Sequence, residues 1–158
     1  MNVINYMILD VHLIGTQTNP IIYNNKEEWI DIAAKQDVYL MQYDTVRIPL
    51  GFSMRIPKGF EAHLLQRSSN FSKYGTIQTN GMGIIDRRFS GTDDEWSIEL
   101  WCTKNAKIKA GERIAQFRLV ENMEGMLNRC GGYDARIEFV FKDKLDSVNR
   151  GGFGSTGR

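Results

Sequence analysis

Apolar and polar residues alternate along this chain in short runs. YMILDVHLI, VYLMQY, TVRIPLGFSMRI, EAHLLQ, EWSIELWCT, RIAQFRLV and ARIEFVF are each bounded by Gly, Pro, Asn or Asp clusters. A period of two residues puts successive side chains on opposite faces, as in a strand half buried against a core. Pro49-Leu50-Gly51 and Pro57-Lys58-Gly59 break the runs as turns, because proline fixes φ and glycine accepts the positive φ that follows. KAGER before IAQF has the form of a tight hairpin entry. Many short strands at regular spacing predict an all-β fold, a sandwich or a barrel.

Two stretches depart from that pattern. KEEWIDIAAKQ, from Lys26, suits a helix by propensity, yet it also alternates, with Trp29, Asp31 and Ala33 on one side and Ile30 and Ile32 on the other. In SSNFSKYG, Ser68 or Ser69 caps a turn or two of helix that Gly75 ends. No internal repeat is present. After about Lys142 the apolar pattern fades, which divides the chain into a β body over 1–142 and a flexible arm over 143–158.

A length of 158 residues suits one domain with a real core, and 42% hydrophobic with 25% charged residues is ordinary for a soluble protein. The formal net charge of +1 supplies no global field for nucleic acid or membrane, so neither is an expected partner and any phosphate binding must come from local placement. Cys102 and Cys130 lie far apart without a metal spacing and read as reduced thiols of a cytoplasmic protein. The opening MNVINYMILDVHLIG has Asp10 inside its apolar stretch and no basic n-region, which predicts a first strand rather than a signal peptide. His12 and His63 are the only histidines, which removes most histidine-based schemes and leaves carboxylates and arginines as the workers of any catalysis.

Four segments carry candidate chemistry. In QRSSNFSKYG, Arg67 offers a planar fork of donors, and Ser68 and Ser69 add hydroxyls and amides; this is an anion cradle or a capped surface turn. In TNGMGIIDRRFSG, the glycines suit a hairpin whose backbone comes close to something, and Asp86 ends an apolar strand. Asp86 can take a proton from water, or simply satisfy turn amides; Phe89 can stack on a ligand or join the core. Gln116 stands within an apolar strand, where its amide needs a partner unless it faces outward. Asp31 and Asp37 in DIAAKQDVYL can each help bind a divalent cation. The terminal RGGFGSTGR, from Arg150, reads as a loose tail or as a flap whose glycines, hydroxyls and arginines converge on an anion while Phe153 covers a flat ring.

Taken in order, AAKQDVYL, QRSSNFSKYG, TNGMGIIDRRFSG, AGERIAQFRLV and RGGFGSTGR resemble the five motifs of the homotrimeric deoxyuridine triphosphatases (dUTPases). The last two are the most specific, the match runs from about Asp31 to the C-terminus, and the spacing resembles variants found in Bacillus and its phages. The resemblance implies hydrolysis of dUTP to dUMP and pyrophosphate with Mg2+, on a jelly-roll-like β-barrel with a short helix, in a homotrimer with shared active sites. It implies that Asp86 deprotonates the water attacking the α-phosphorus and that Phe89, where the family usually has Tyr, packs on the deoxyribose. The hairpin of Asn80, Gly83 and Ile85 would read uracil through backbone groups. Arg67, Ser68, Ser69 and Gln116 would hold phosphate oxygens, and Asp37 would orient the metal's waters. From the arm, which would complete a neighbouring site, Arg150, Gly154, Ser155 and Thr156 would grip the γ-phosphate under a Phe153 lid.

The chain departs from the family's usual pattern in places. Arg87 and Arg88 follow Asp86 and add positive charge beside it, Gln66 replaces a proline before Arg67, and the glycine and tyrosine of the first motif are missing. Two rival readings stay open. The dCTP deaminases share the fold and an Arg-Ser-Ser loop, with a catalytic glutamate in a strand resembling WSIELW, where Glu99 stands. A non-catalytic nucleotide sensor would instead use surfaces such as Arg87-Arg88 or the NRCGGYDAR segment near Arg129 to hold a regulatory protein partner.

Overall fold

The computed structural model describes residues 5–127, 135–145, 147–149 and 151–152. Among these the architecture is all-β and jelly-roll-like. It opens with β1 (Asn5–Leu13) and the short β2 (Ile21–Ile22), β3 (Ile30–Ala33) and β4 (Val38–Leu40). Leu50-Gly51 then separates β5 (Thr45–Pro49) from β6 (Phe52–Met54), and β7 (Phe60–Gln66) follows Gly59. Gly51 and Gly59 sit at φ 85° and 86°, the left-handed values that the two proline-led turns demand. Next come α1 (Asn70–Tyr74), β8 (Thr76–Gln78), β9 (Gly83–Ile85), β10 (Ser97–Cys102), β11 (Ala106–Ile108) and β12 (Arg113–Glu121). A short α2 (Met123–Leu127), which the alternating pattern does not announce, precedes β13 (Ala135–Phe141).

The strands divide among separately bonded sheets, β13-β1-β6, β5-β10-β8, β11-β4 and β2-β3-β12-β7-β9, rather than closing into one continuous barrel. The helix-or-strand ambiguity of KEEWIDIAAKQ resolves as strand: Ile30–Ala33 pairs with Phe117–Arg113 of β12, and all four of its residues are buried. Covered on both faces, β3 includes the carboxylate of Asp31, which needs a partner there. The core centres on Trp96, whose ring lies 5.1 Å from those of both Phe52 and Phe117. Ser69 occupies the N-cap position of α1 without a side-chain cap bond, and Gly75 ends the helix in the left-handed region.

The KAGER turn is held by Glu112. Its carboxylate accepts the Lys73 ammonium at 2.6 Å and the Lys109 amide at 2.8 Å, tying α1 to the β11–β12 turn. The Lys73 ammonium first, then the Lys109 amide, lower the Glu112 pKa from 4.5 to about 2. A depressed carboxyl contributes stability above its unfolded value and loses it as pH falls through the folded one. The stability difference between the wild type and Glu112→Gln is therefore expected in full at pH 6 and vanishes as pH falls from 4.5 to about 2. Denaturant midpoints of the two proteins across that range measure it.

Candidate active site

The predicted anion cradle forms at the C-terminal end of β7. Arg67 donates its backbone N–H to the Ile114 carbonyl at 3.3 Å, and its Nε lies 3.0 Å from Asp31 Oδ1. Arg113 Nη1 lies 2.9 Å from the other oxygen of the same carboxylate. Asp31 is only 5% exposed, so the two guanidinium groups satisfy a charge that burial would otherwise penalise. In return that carboxylate fixes both forks, leaving the cluster one positive charge in excess. The β3–β12 register sets Gln116 directly opposite Asp31, on the same face. Gln116 Nε2 makes a long 3.5 Å contact to the Gln66 carbonyl. Ser68 and Ser69 are exposed where the chain enters α1, and buried Asn70 pins that entry by donating to the Ile114 carbonyl at 2.7 Å. The arrangement is a donor-rich, cationic patch suited to phosphate oxygens.

The second group lies at the other end of β7, where β9 pairs with it. Leu64 faces Gly83 and Ala62 faces Ile85, and a Cβ on Gly83 would stand 3.3 Å from Leu64 Cβ, so glycine permits the close strand approach. Asp86 follows at once. Its Oδ1 accepts the Arg88 amide at 2.7 Å, its carbonyl accepts the Phe89 amide at 3.1 Å, and Arg88 Nη2 lies 3.2 Å from Oδ2. The acid is thus fixed by its own turn at the end of a strand, yet its side chain stays 42% exposed. Phe89 is partly buried and packs against the core, and Ser90 Oγ donates to the Arg87 carbonyl.

Gln78 braces both groups, and sequence reasoning did not single it out. It accepts the Gln66 amide at 2.8 Å and donates to the Leu64 carbonyl at 3.1 Å and to Asn80 Oδ1 at 2.9 Å, so one buried amide steadies the cradle's strand and the Asn80 hairpin. The signal was an inverted alternation: in TIQ the polar Thr76 and Gln78 face inward and Ile77 outward.

Within one chain the cradle and the acid do not meet. Ile85 pairs with Ala62, five residues before Arg67, so at about 3.3 Å per residue the two ends lie about 17 Å apart along β7. The Arg67 fork turns toward Asp31 on β3, beyond β12 and away from β9, which widens the gap.

The remaining candidates fall elsewhere. Asp37 sits 2.5 Å from Lys107 Nζ and accepts the Ala110 amide at 2.9 Å; these hydrogen bonds, the Lys107 one foremost, hold its carboxyl below the usual range. Its partners belong to β11 and the β11–β12 turn that leads into Arg113, while Asp31 is the acid that holds the Arg67 fork. Glu99 lies 3.2 Å from Arg47 Nη2 and accepts the Thr79 hydroxyl at 2.9 Å, as a structural partner does. His63 pairs with Glu61 at 2.7 Å, and burial pushes the Cys102 thiol up. Arg150, Phe153, Gly154, Ser155 and Thr156, with Cys130 and Arg129, lie outside the described residues. No helix among the described residues is long and apolar enough to cross a membrane.

Comparison with known proteins gives a consistent picture. A family model described as dUTPase matches residues 24–157. The chain is 38% identical over 130 residues, 82% of its length and 84% of the relative's, to an SPbeta prophage-derived deoxyuridine 5'-triphosphate nucleotidohydrolase of Bacillus subtilis. It is 31% identical to the Fusobacterium nucleatum enzyme of the same name, over 78% of this chain and 77% of that one. Among solved structures it resembles the Streptococcus mutans dUTPase, with a TM-score of 0.65 at 20% identity over 72% of this chain and 96% of the other. A mutant dUTPase from phage phi11 of S. aureus, described for its coordination of a structural Mg(II) ion, aligns with a TM-score of 0.63 at 19% identity, covering 72% and 90% of the two chains.

Proposed function

The chain belongs to the dUTPase family and is a dUTP diphosphatase, and from that premise we propose how its residues divide the work of releasing pyrophosphate from dUTP. Asp86 holds and deprotonates the water that attacks the α-phosphorus. Arg67, Ser68, Ser69 and Gln116 hold phosphate oxygens, with Asp31 orienting the Arg67 fork. Asn80, Gly83 and Ile85 read uracil through backbone groups, and Phe89 packs on the deoxyribose. The observation that carries this reading is the division along β7, with an exposed, turn-fixed carboxylate at one end and a donor-rich cradle at the other. Little covalent work falls to the protein in such a transfer; positioning and charge neutralisation carry it.

One site then needs more than one chain. The two groups sit about 17 Å apart along the backbone of β7, and the Arg67 fork is held on Asp31, away from β9, so one chain does not aim both at the same triphosphate. A ring of identical chains, each offering its acid loop to the next chain's cradle, resolves this, and the family's homotrimer is such a ring. The arm over 143–158, with Arg150, Gly154, Ser155, Thr156 and Phe153, covers the nucleotide and excludes water.

The donor set suits a magnesium ion that arrives on the phosphates. Among the described residues no group of three acidic, histidine or cysteine side chains forms a metal cage, whereas Mg2+ keeps several waters and needs only one or two carboxylates plus substrate phosphates. Asp37, whose side chain is 45% exposed beside Lys107, is the acid that would orient those waters; when bound, the ion would neutralise charge on the leaving pyrophosphate.

Pyrophosphate release from dUTP, UTP, dTTP and dCTP, with and without magnesium, tests the reading, alongside ammonia release from dCTP. Magnesium-dependent turnover confined to dUTP is expected. Ammonia from dCTP would transfer the activity to a Glu99-based deaminase, and binding of dUTP without turnover would leave a sensor.

A further inference from the structure

The chain past β13 does not leave the body where its apolar pattern fades. Leu145 is only 1% exposed; its amide donates to Thr92 Oγ1 at 2.8 Å, and the Thr92 hydroxyl donates back to the Leu145 carbonyl at 2.9 Å. Four residues on, Asn149 is held from both sides of its amide. Its Oδ1 accepts the Asp93 backbone N–H at 2.8 Å, and its Nδ2 donates to the Asp93 carboxylate. Gly151 then donates its N–H to Asp94 Oδ1 at 3.0 Å, while Asp94 Oδ2 accepts the Gly91 amide at 2.9 Å. Three consecutive loop residues thus each hold a successive point of the arm.

Two glycines show how closely the surfaces fit. A Cβ on Gly91 would stand 2.6 Å from Asn149 Cα and 2.8 Å from its N, backbone atoms that cannot give way cheaply. A Cβ on Gly152 would stand 3.3 Å and 3.4 Å from the Phe89 ring, so the arm arrives directly at that ring. Phe89 belongs to the same loop as Asp86.

We propose that the Gly91–Asp94 loop is a latch for the arm, with Asp93 and Asp94 as positioning residues that hold Asn149 and Gly151 so that the terminal residues start from Phe89. The proposal rests on the reading of the tail as a cover for the nucleotide. Its contribution is chiefly directional. Sixteen residues follow Lys142 and seven follow Gly151. Shortening a free tether by that much raises effective concentration only about threefold. Fixing where the tail begins and which way it points adds the rest.

The test uses the full chain with Asn149→Asp, Asp93→Asn and the two combined, measured for dUTP kinetics and for trypsin cleavage after Lys142 or Lys144. Asn149→Asp sets a carboxylate against that of Asp93. It is expected to raise KM for dUTP about three- to tenfold, more than it lowers kcat, and to speed cleavage of the arm. The combined variant restores an amide–carboxylate pair with its polarity reversed and recovers both readouts. In a chain ending at Asn149, the same substitution leaves the residual dUTP kinetics unchanged, because no tail remains to be aimed. A combined variant no better than Asn149→Asp alone, or an Asn149→Asp protein with wild-type kinetics and cleavage, overturns the latch. If removing the tail leaves dUTP hydrolysis intact, the cover reading fails, while cleavage and its rescue still decide the latch.

Discussion

Asp86→Asn is expected to bind dUTP and to hydrolyse it about a hundred- to ten-thousand-fold more slowly than the wild type. The substitution keeps size and shape. The new side-chain oxygen still accepts the Arg88 amide that fixes the turn. It gives up the capacity to take a proton from water, and it weakens the ion pair with Arg88. That pair is exposed, at 70% for the arginine side chain and 42% for the acid, so weakening it costs little stability. The defect should therefore lie in kcat, with the melting temperature and dUTP affinity close to wild type. Single-turnover hydrolysis and calorimetric titration of the variant separate the two. Near-normal turnover would remove Asp86 from the role of base.

Removing residues 150–158 is expected to leave a folded trimer with kcat/KM for dUTP lowered about a hundredfold or more. The core of the body is untouched: among the described residues the deletion removes the Gly151 bond to Asp94 and the packing of Gly152 on Phe89, both made by exposed glycines at the surface. One hydrogen bond contributes about 1 kcal/mol. The Leu145 and Asn149 attachments stay in place. Sedimentation checks the assembly and pyrophosphate release the activity. Full activity after the deletion would return RGGFGSTGR to an ordinary loose end.

The strands were legible because their signals are local. Alternation and proline–glycine turns located β5, β6 and β7 without knowledge of what packs on them. The cradle was half legible: Arg67-Ser68-Ser69 stands in one stretch, but Asp31 and Arg113 reach it only through the pairing of β3 with β12, a contact across 82 residues. The structural role of Asp31 was hidden in the same way: its burial between two guanidinium groups depends on that pairing and not on its spacing from Asp37. Gln78 escaped notice because its value lies in bonds to Gln66 and Leu64, which the sequence does not place beside it. The arm after Lys142 looked unanchored because polar bonds to Thr92, Asp93 and Asp94, together with the single buried side chain of Leu145, hold it in place of a run of apolar residues.

The length of β7 has a genetic consequence. In the proposed ring each chain lends its acid to one pocket and its arginine to another, so a faulty subunit is not a private defect. A chain damaged at both ends of that strand, made alongside sound copies, would silence two pockets of any ring it joined. Such an allele would cost the cell more than its own share of activity, even though every sound copy carried all the residues the chemistry requires.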